Sequence, residues 1–249
     1  MPKDEKTMSY GEHLLELRRR LIIALAVTFL LFFAVFFLLG TPLLNILREP
    51  VTRAFADFKL RTLTPFEIIL VKMKVSLIAA IVLASPVLLH QVWQFVSPGL
   101  RDNELRHVKP VLAAGSVLFA AGVALCYFLV VPKVYGFFIA MNAESGVEAA
   151  WSLSSFIDTE LLMLVAFGLS FEAPLVVVFL SVVGLVTPQT LAKNRGYALL
   201  FILIFSAVVT ADPSAITMLM LAIPLYLLYE LGVAAAKIIQ RRREKKLAG

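Results

Sequence analysis

The sequence is poor in the residues that build disulfides and metal centres. It has one cysteine and three histidines among 249 residues. Cys126 has no partner for an internal disulfide, and His13, His90 and His107 are scattered without an H-E-x-x-H pattern, so we expect no metal site. A phosphate loop of the form G-x-x-x-x-G-K-[ST] is also lacking, and nothing in the sequence indicates a nucleotide or another cofactor.

Charged residues are scarce as well. They make up 16% of the chain, whereas hydrophobic residues make up 60% and the mean hydropathy is +0.90. Soluble domains are about 45–50% apolar and must cover their core with polar surface. A water-soluble globule of this composition is implausible, so we predict an all-α integral membrane protein.

The formal net charge is +6, and the positions of the basic residues favour lipid over nucleic acid as a partner. Basic residues cluster at both ends of the chain and between the apolar runs, where anionic lipid headgroups would meet them. A nucleic-acid-binding protein would instead show a basic stripe with interleaved aromatic residues, and this sequence shows no such stripe.

Six apolar runs predict six transmembrane helices in a single membrane domain, since about 20 apolar residues span a bilayer. The runs cover 21–40, 68–90, 110–132, 161–186, 196–211 and 213–236, between an amphipathic segment at 1–20 and a basic tail at 237–249. No small-residue cleavage site follows the first run, which is predicted to be an uncleaved anchor. The last two runs are short, and the fifth spans only about 24 Å against a hydrocarbon core of about 30 Å.

The distribution of Lys and Arg predicts that both termini are cytoplasmic. With the N-terminus inside, the inner segments carry sixteen of these residues and the outer segments carry five. Loops rich in Lys and Arg stay on the cytoplasmic side during insertion, so this asymmetry agrees with an even number of spans.

The first of three candidate functional segments is the N-terminal helix. Ser9 and Glu12 fit a capping box at its start. Three leucines share one helix face that suits the membrane boundary, namely Leu14, Leu17 and Leu21. Glu16 has an ordinary explanation as a local ion pair with Arg20, four residues later.

The second segment is the loop after the second predicted span. Trp93 and Phe95 suit the aromatic belt at a membrane interface. Glu104 falls in the first turn of the next predicted helix, where a negative charge is favoured. Taken singly, these residues need no functional explanation.

The third segment contains Glu172, which falls near the middle of its predicted span. An acidic side chain there costs about 2.5–3.5 kcal/mol on insertion scales, and such residues usually face a protein interior or a wet cavity. Pro174 removes a helical donor nearby, so backbone exposed at a kink offers a structural explanation. We favour a functional role for Glu172 over that explanation.

These three segments, in their order along the chain, resemble motifs of the TatC family. The N-terminal signature of the family resembles HLLELR at 13–18, and its first cytoplasmic loop resembles the stretch from QVW at 91–93 through PGL at 98–100 to Glu104. Its fourth helix resembles FGLSFEAP at 167–174, and its sixth resembles AIPLYLLYE at 222–230. Four ordered motifs cover nearly the whole chain and are more specific than any one of them.

The resemblance implies a non-enzymatic receptor in the bacterial inner membrane, which binds folded proteins bearing a twin-arginine signal peptide. Family acids that match Glu16 and Glu104 form the cytoplasmic patch that receives the arginine pair. Phe95 would support this patch, and Arg18 belongs to the same N-terminal signature. Paired carboxylates at a partly desolvated surface suit planar guanidinium groups.

The resemblance also implies a cupped arrangement of six helices. It further implies that the proton-motive force drives transport and that the protein associates with further copies of itself in a larger complex. The acid that matches Glu172 lies on the concave face, where it contacts partner helices and the inserted signal hairpin. Short fifth and sixth helices form part of the docking surface for TatA and TatB. The family commonly has Thr-Pro-Pro-Asp before its sixth helix, whereas this chain has TADPS at 210–214, with Thr210 and Asp212 as candidate polar contacts.

Two other functions fit parts of the sequence. A secondary transporter with Glu172 as its proton carrier is the main alternative, although such transporters usually show repeated halves and paired broken helices. An intramembrane protease would need a G-x-S-x-G motif or paired intramembrane aspartates, and the sequence has neither.

Overall fold

The computed structural model describes residues 10–55, 60–96, 108–146, 151–183, 186–210 and 215–247. Within these ranges the chain is mostly helical, with helices α1 (Tyr10–Leu38), α2 (Gly40–Ala54), α3 (Glu67–Val96), α4 (Val108–Leu125), a π-helical turn (Cys126–Val130), α5 (Val131–Glu144), α6 (Leu153–Phe171), α7 (Ala173–Val183), α8 (Pro188–Lys193), α9 (Arg195–Thr210) and α10 (Ala215–Leu247). Two short strands, β1 (Leu60–Arg61) and β2 (Trp151–Ser152), pair in parallel.

Five helical segments among the described residues are long and apolar enough to cross a bilayer. They are Leu14–Leu38, Glu67–Phe95, Ala114–Glu144, Leu153–Ser181 and Met218–Ile238, and a further apolar helix, Arg195–Val209, is shorter. The prediction of an α-helical, membrane-integral protein is therefore confirmed.

Helix α1 packs along α3 in the opposite direction, because side chains near the start of α1 meet the end of α3. Many of its other side chains are exposed, among them Leu25, Phe29, Phe33 and Phe37. Such a helix is stable only where lipid replaces water around it, since contact of these apolar side chains with water would be unfavourable.

Helices α4 and α6 approach closely because glycines stand where the two helices cross. A Cβ atom at Gly122 would lie 2.7 Å from the carbonyl oxygen of Phe167, and one at Gly168 would lie 2.8 Å from the ring of Phe119. Small residues permit such contacts between membrane helices, whose association depends on packing. The crossing holds α6 in a fixed position against α4.

Pro132 does not end its helix, although the sequence predicted a boundary at 132. The π-helical turn at Cys126–Val130 precedes it, and α5 continues to Glu144. Proline is tolerated here because it lies in the first turn of α5, and the wider turn before it changes the hydrogen-bond pattern that its ring would disrupt. The helical segment therefore continues beyond the end of the apolar run at 132.

The polar stretch after α1 folds into a small cap. Its helix α2 buries Leu44, Leu47 and Val51, which lie three and four residues apart on one face. The buried carboxylate of Glu67 accepts two backbone N–H groups from the loop before α3, and it accepts the N–H of Ser154 at 2.7 Å. Glu67 thus joins the start of α3 to the start of α6.

Candidate functional site

Glu16 and Arg20 form the centre of a polar network between α1 and α3. Arg20 donates from Nε to Oε1 of Glu16 at 2.8 Å and from Nη2 to the same oxygen at 2.5 Å. Its Nη1 donates to Oε1 of Gln91 at 3.3 Å and also to Oε1 of Gln94. Nε2 of Gln94 lies 2.7 Å from Nε2 of His90. We call these five residues the Arg20 network.

The local ion pair that the sequence predicted for Glu16 is therefore present. It forms because residues 16 and 20 are separated by about one helical turn. The side chains of Arg20 and Glu16 are 23% and 22% exposed, so water screens the pair only in part. The Glu16 carboxylate thus holds a guanidinium group through two N–H donors that share one oxygen, Oε1.

The structure describes two of the three other predicted recognition residues. Arg18 is exposed on α1, and Phe95 is partly buried on α3 directly after Gln94. Glu104 lies outside the described residues, so its convergence with Glu16 remains a prediction.

A second feature is the Glu172 cavity, a space of about 150 Å³ beside the last turns of α3. Its walls are almost entirely apolar and are formed by Leu89, Val92, Trp93, Glu172, Leu175, Val176 and Phe179. The rings of Trp93 and Phe179 meet edge to face, with their centroids 5.0 Å apart. Below, the term Glu172 cavity means the space that these seven residues enclose.

Glu172 lies at the junction between α6 and α7, and its residue surface is 9% exposed. Within the described part of the chain, neither carboxyl oxygen has a hydrogen-bond partner. Gly115 leaves the necessary room, because a Cβ atom there would lie 3.1 Å from Oε2 of Glu172. An acid held in an apolar cavity in this way is able to bind a polar group on a second helix, since that partner would supply the missing hydrogen bond.

The Arg20 network and the Glu172 cavity share the last turns of α3. Gln91 and Gln94 face Arg20, whereas Leu89 and Trp93 line the cavity. This follows from the helical repeat, because residues three or four positions apart share a face of the helix. Residues 91 and 94 therefore lie on one face, and residues 89 and 93 lie on another. A change at the end of α3 would therefore affect both features.

The predicted polar contacts near the last two spans are described only in part. Thr210 is the final residue of α9, but its side chain lies outside the description, and so does Asp212. A nearby ion pair joins α9 to α10, with Arg195 Nε 2.7 Å from Oε1 of Glu230. Tyr226 also donates to that oxygen at 3.1 Å.

The sequence reasoning missed a second acid in the helix of Glu172. Glu160 is fully buried, and within the described residues neither of its carboxyl oxygens has a hydrogen-bond partner. The predicted span begins at 161 and leaves Glu160 outside it. The signal was present, since Glu160 falls on the face that also buries Phe156 and Ile157.

The helix begins at Leu153, where the Ser152 side chain caps it by accepting the N–H of Ser155. Nζ of Lys74 lies 2.8 Å from Oδ1 of Asp158, an interaction between α3 and α6. Lys72 lies over the ring of Phe36, 5.1 Å from its centroid. No group of three His, Cys, Asp or Glu side chains in the described ranges is arranged to hold a metal ion.

The sequence matches the family model of the Sec-independent protein translocase protein (TatC) over residues 12–224. It is 34% identical to the TatC protein of Aquifex aeolicus, over 96% of this chain and 98% of the relative. It is 36% identical to the TatC protein of Escherichia coli K12, over 92% of this chain and 88% of the relative.

Solved structures give the same result. The chain is similar to a crystal structure of the twin-arginine translocase receptor TatC, with a TM-score of 0.81 and 33% identity, over 91% of this chain and 99% of the other. A structure of that receptor in DDM has a TM-score of 0.83 at 33% identity, over 90% of this chain and 99% of the other. The chain belongs to the TatC family of Sec-independent protein translocases.

Proposed function

We propose that this protein is the receptor that binds twin-arginine signal peptides and nucleates a translocation complex with TatA- and TatB-type single-span proteins. Family membership favours this function over proton-coupled solute transport. The solved relatives are named as twin-arginine translocase receptors, which supports the same role here. We propose further that no chemical reaction is catalysed and that the proton-motive force drives transport.

The observation that carries the proposal is the position of the Glu16 carboxylate. It already holds one guanidinium group through two N–H donors, at a site only partly open to water. Charge-assisted bonds of this kind are about twice as strong as neutral ones and favour arginine over lysine by geometry. Glu16 is therefore suited to receive one arginine of a signal peptide, with Glu104 as the proposed second carboxylate and Phe95 and Arg18 beside them.

Site-specific crosslinking of a twin-arginine precursor tests this assignment. We expect Glu16→Gln and Glu104→Gln to abolish the crosslink, because the neutral amide loses the charge that pairs with arginine. Glu49→Gln is a matched control, since Glu49 also pairs with an arginine four residues later, Arg53, at 2.5 Å but on α2. Undiminished crosslinking in both site variants would exclude the recognition role.

We propose six transmembrane spans, with both termini on the cytoplasmic side of the bacterial inner membrane. The excess of Lys and Arg in the inner segments supports this orientation. Helix α9 would be the fifth span; its 16 residues correspond to about 24 Å, so the bilayer would have to thin around it. Labelling of single cysteines from each side of the membrane, in a Cys126→Ser background, tests the orientation.

We propose that partner helices contact Glu172 and the region of α9 and α10 that includes Thr210 and Asp212. Support comes from the apolar Glu172 cavity, whose acid has no partner among the described residues. A second support is the exposed apolar surface of α9, with Tyr197 and Phe201 each at least 70% exposed. Crosslinks from these positions to small single-span proteins, in a mild-detergent pull-down with and without signal peptide, test the partners.

A further inference from the structure

We propose that Arg20 competes with the signal peptide for the Glu16 carboxylate, so that an incoming arginine binds by exchange with Arg20. This inference rests on the proposed receptor function. It adds a residue that lowers the affinity of the site by occupying it.

The geometry shows that the site is occupied in the protein alone. Two of the three guanidinium nitrogens of Arg20 donate to Oε1 of Glu16, and the third donates to Gln91 and Gln94. The guanidinium thus uses all three nitrogens, on a carboxylate and two amide oxygens. An incoming arginine would meet an oxygen that already accepts two N–H groups.

Exchange is favoured over simple addition for an electrostatic reason. If a second guanidinium were added beside Arg20, two like charges would share one carboxylate in a partly desolvated site, where repulsion is less screened than in water. If the arginine replaces Arg20, Glu16 keeps one guanidinium partner. The Arg20 side chain is itself 23% exposed, so a displaced guanidinium group has access to water.

The exchange lowers the affinity of every cationic ligand for this carboxylate by the same factor, because each ligand must displace the same ion pair. An ammonium group is a compact point charge and does not reproduce the planar fork of a guanidinium. A lysine ligand must therefore replace a forked contact with a weaker one, whereas an arginine ligand replaces it with an equal one. Arg20 therefore raises the dissociation constants of both ligands, and the preference for arginine comes from the fit of the ligand itself to Glu16.

The test measures the affinity of a synthetic twin-arginine signal peptide, and of its twin-lysine counterpart, for the full-length protein in nanodiscs. We expect Arg20→Met to bind the twin-arginine peptide about 5- to 10-fold more tightly, the factor expected when a competing, partly buried ion pair is removed. The twin-lysine peptide should gain by the same factor, so the ratio of the two affinities should stay unchanged. Arg20→Lys keeps the charge without the fork and should shift both values in the same direction by less.

Arg19→Met is the matched control, because it removes the same charge one residue away at an exposed position. It should change both affinities by an equal factor of less than about threefold, since an exposed charge is well screened. If Arg19→Met matched Arg20→Met, the effect would be general electrostatics and the exchange would be wrong. If Arg20→Met and Arg20→Lys both weakened binding, Arg20 would merely orient Glu16, which also overturns the proposal.

The same titration separates this inference from the proposed function. If the wild type did not prefer the twin-arginine peptide and Glu16→Gln changed nothing, the receptor assignment to Glu16 would fail. If the wild type preferred that peptide and lost it on Glu16→Gln, but Arg20→Met gave no tighter binding, only the exchange would fail.

Discussion

Two buried glutamates are expected to respond in opposite ways when each is replaced by methionine. Glu67 is 5% exposed, and its carboxylate accepts three backbone N–H groups. Glu160 is 0% exposed, and none of the described residues donates to its oxygens. Methionine approximates the size of glutamate and is apolar, so it removes the carboxyl group while keeping the volume filled.

The expected magnitudes follow from these contacts. Glu67→Met leaves three N–H groups without their acceptor, partly compensated by water, and should lower the free energy of unfolding by about 2–4 kcal/mol. Glu160→Met removes a buried polar group that has no partner among the described residues, and it should raise the free energy of unfolding by about 1–3 kcal/mol. At about 2–4 °C per kcal/mol for a chain of this size, the two melting temperatures should move in opposite directions by several degrees.

Thermal unfolding in one detergent, followed by intrinsic fluorescence and by aggregation, provides the measurement. Glu160→Gln is the control that keeps the polar volume, and it should lie close to the wild type. If Glu160→Met were destabilised as much as Glu67→Met, Glu160 would have a stabilising partner and the reasoning from its burial would be refuted.

Three further changes test the packing around the site. Gly168→Val should destabilise the protein by about 1–3 kcal/mol, because its Cβ would overlap an aromatic ring on α4, and thermal unfolding measures this. Gly115→Val should reduce crosslinking from Glu172 to partner helices, because the added side chain would enter the space beside the carboxyl group. Arg195→Lys should cost about 1 kcal/mol or less by the same thermal assay, since its bidentate pair with Glu230 is partly exposed.

Long apolar runs were predictable from the sequence because they depend on composition alone. The apolar run after Arg20 forms the exposed part of α1. The ion pair of Arg20 with Glu16 follows from the helical repeat. The full Arg20 network was not predictable. Gln91 lies 71 residues from Arg20 along the chain, and only the packing of α1 against α3 brings the two together.

Helix ends were harder to predict because local signals compete with tertiary contacts. Pro132 normally indicates a boundary, but the π-helical turn before it lets the helix continue. The predicted span begins at 161, yet α6 begins at Leu153 and includes two acids, of which Asp158 pairs with Lys74 and Glu160 is enclosed by the protein interior. Charge near a span predicts its end only when the partner of that charge is known.

The central claim, that Glu16 receives an arginine of the signal peptide, is tested most directly by a double-mutant cycle. Affinities are measured for the wild type and Glu16→Gln, each with a twin-arginine peptide and with peptides in which either arginine is replaced by glutamine. A direct pair predicts a coupling of about 1.5–3 kcal/mol, or roughly 10- to 150-fold, with one of the two arginines. Additive effects for both arginines, with a coupling near zero, would contradict the account.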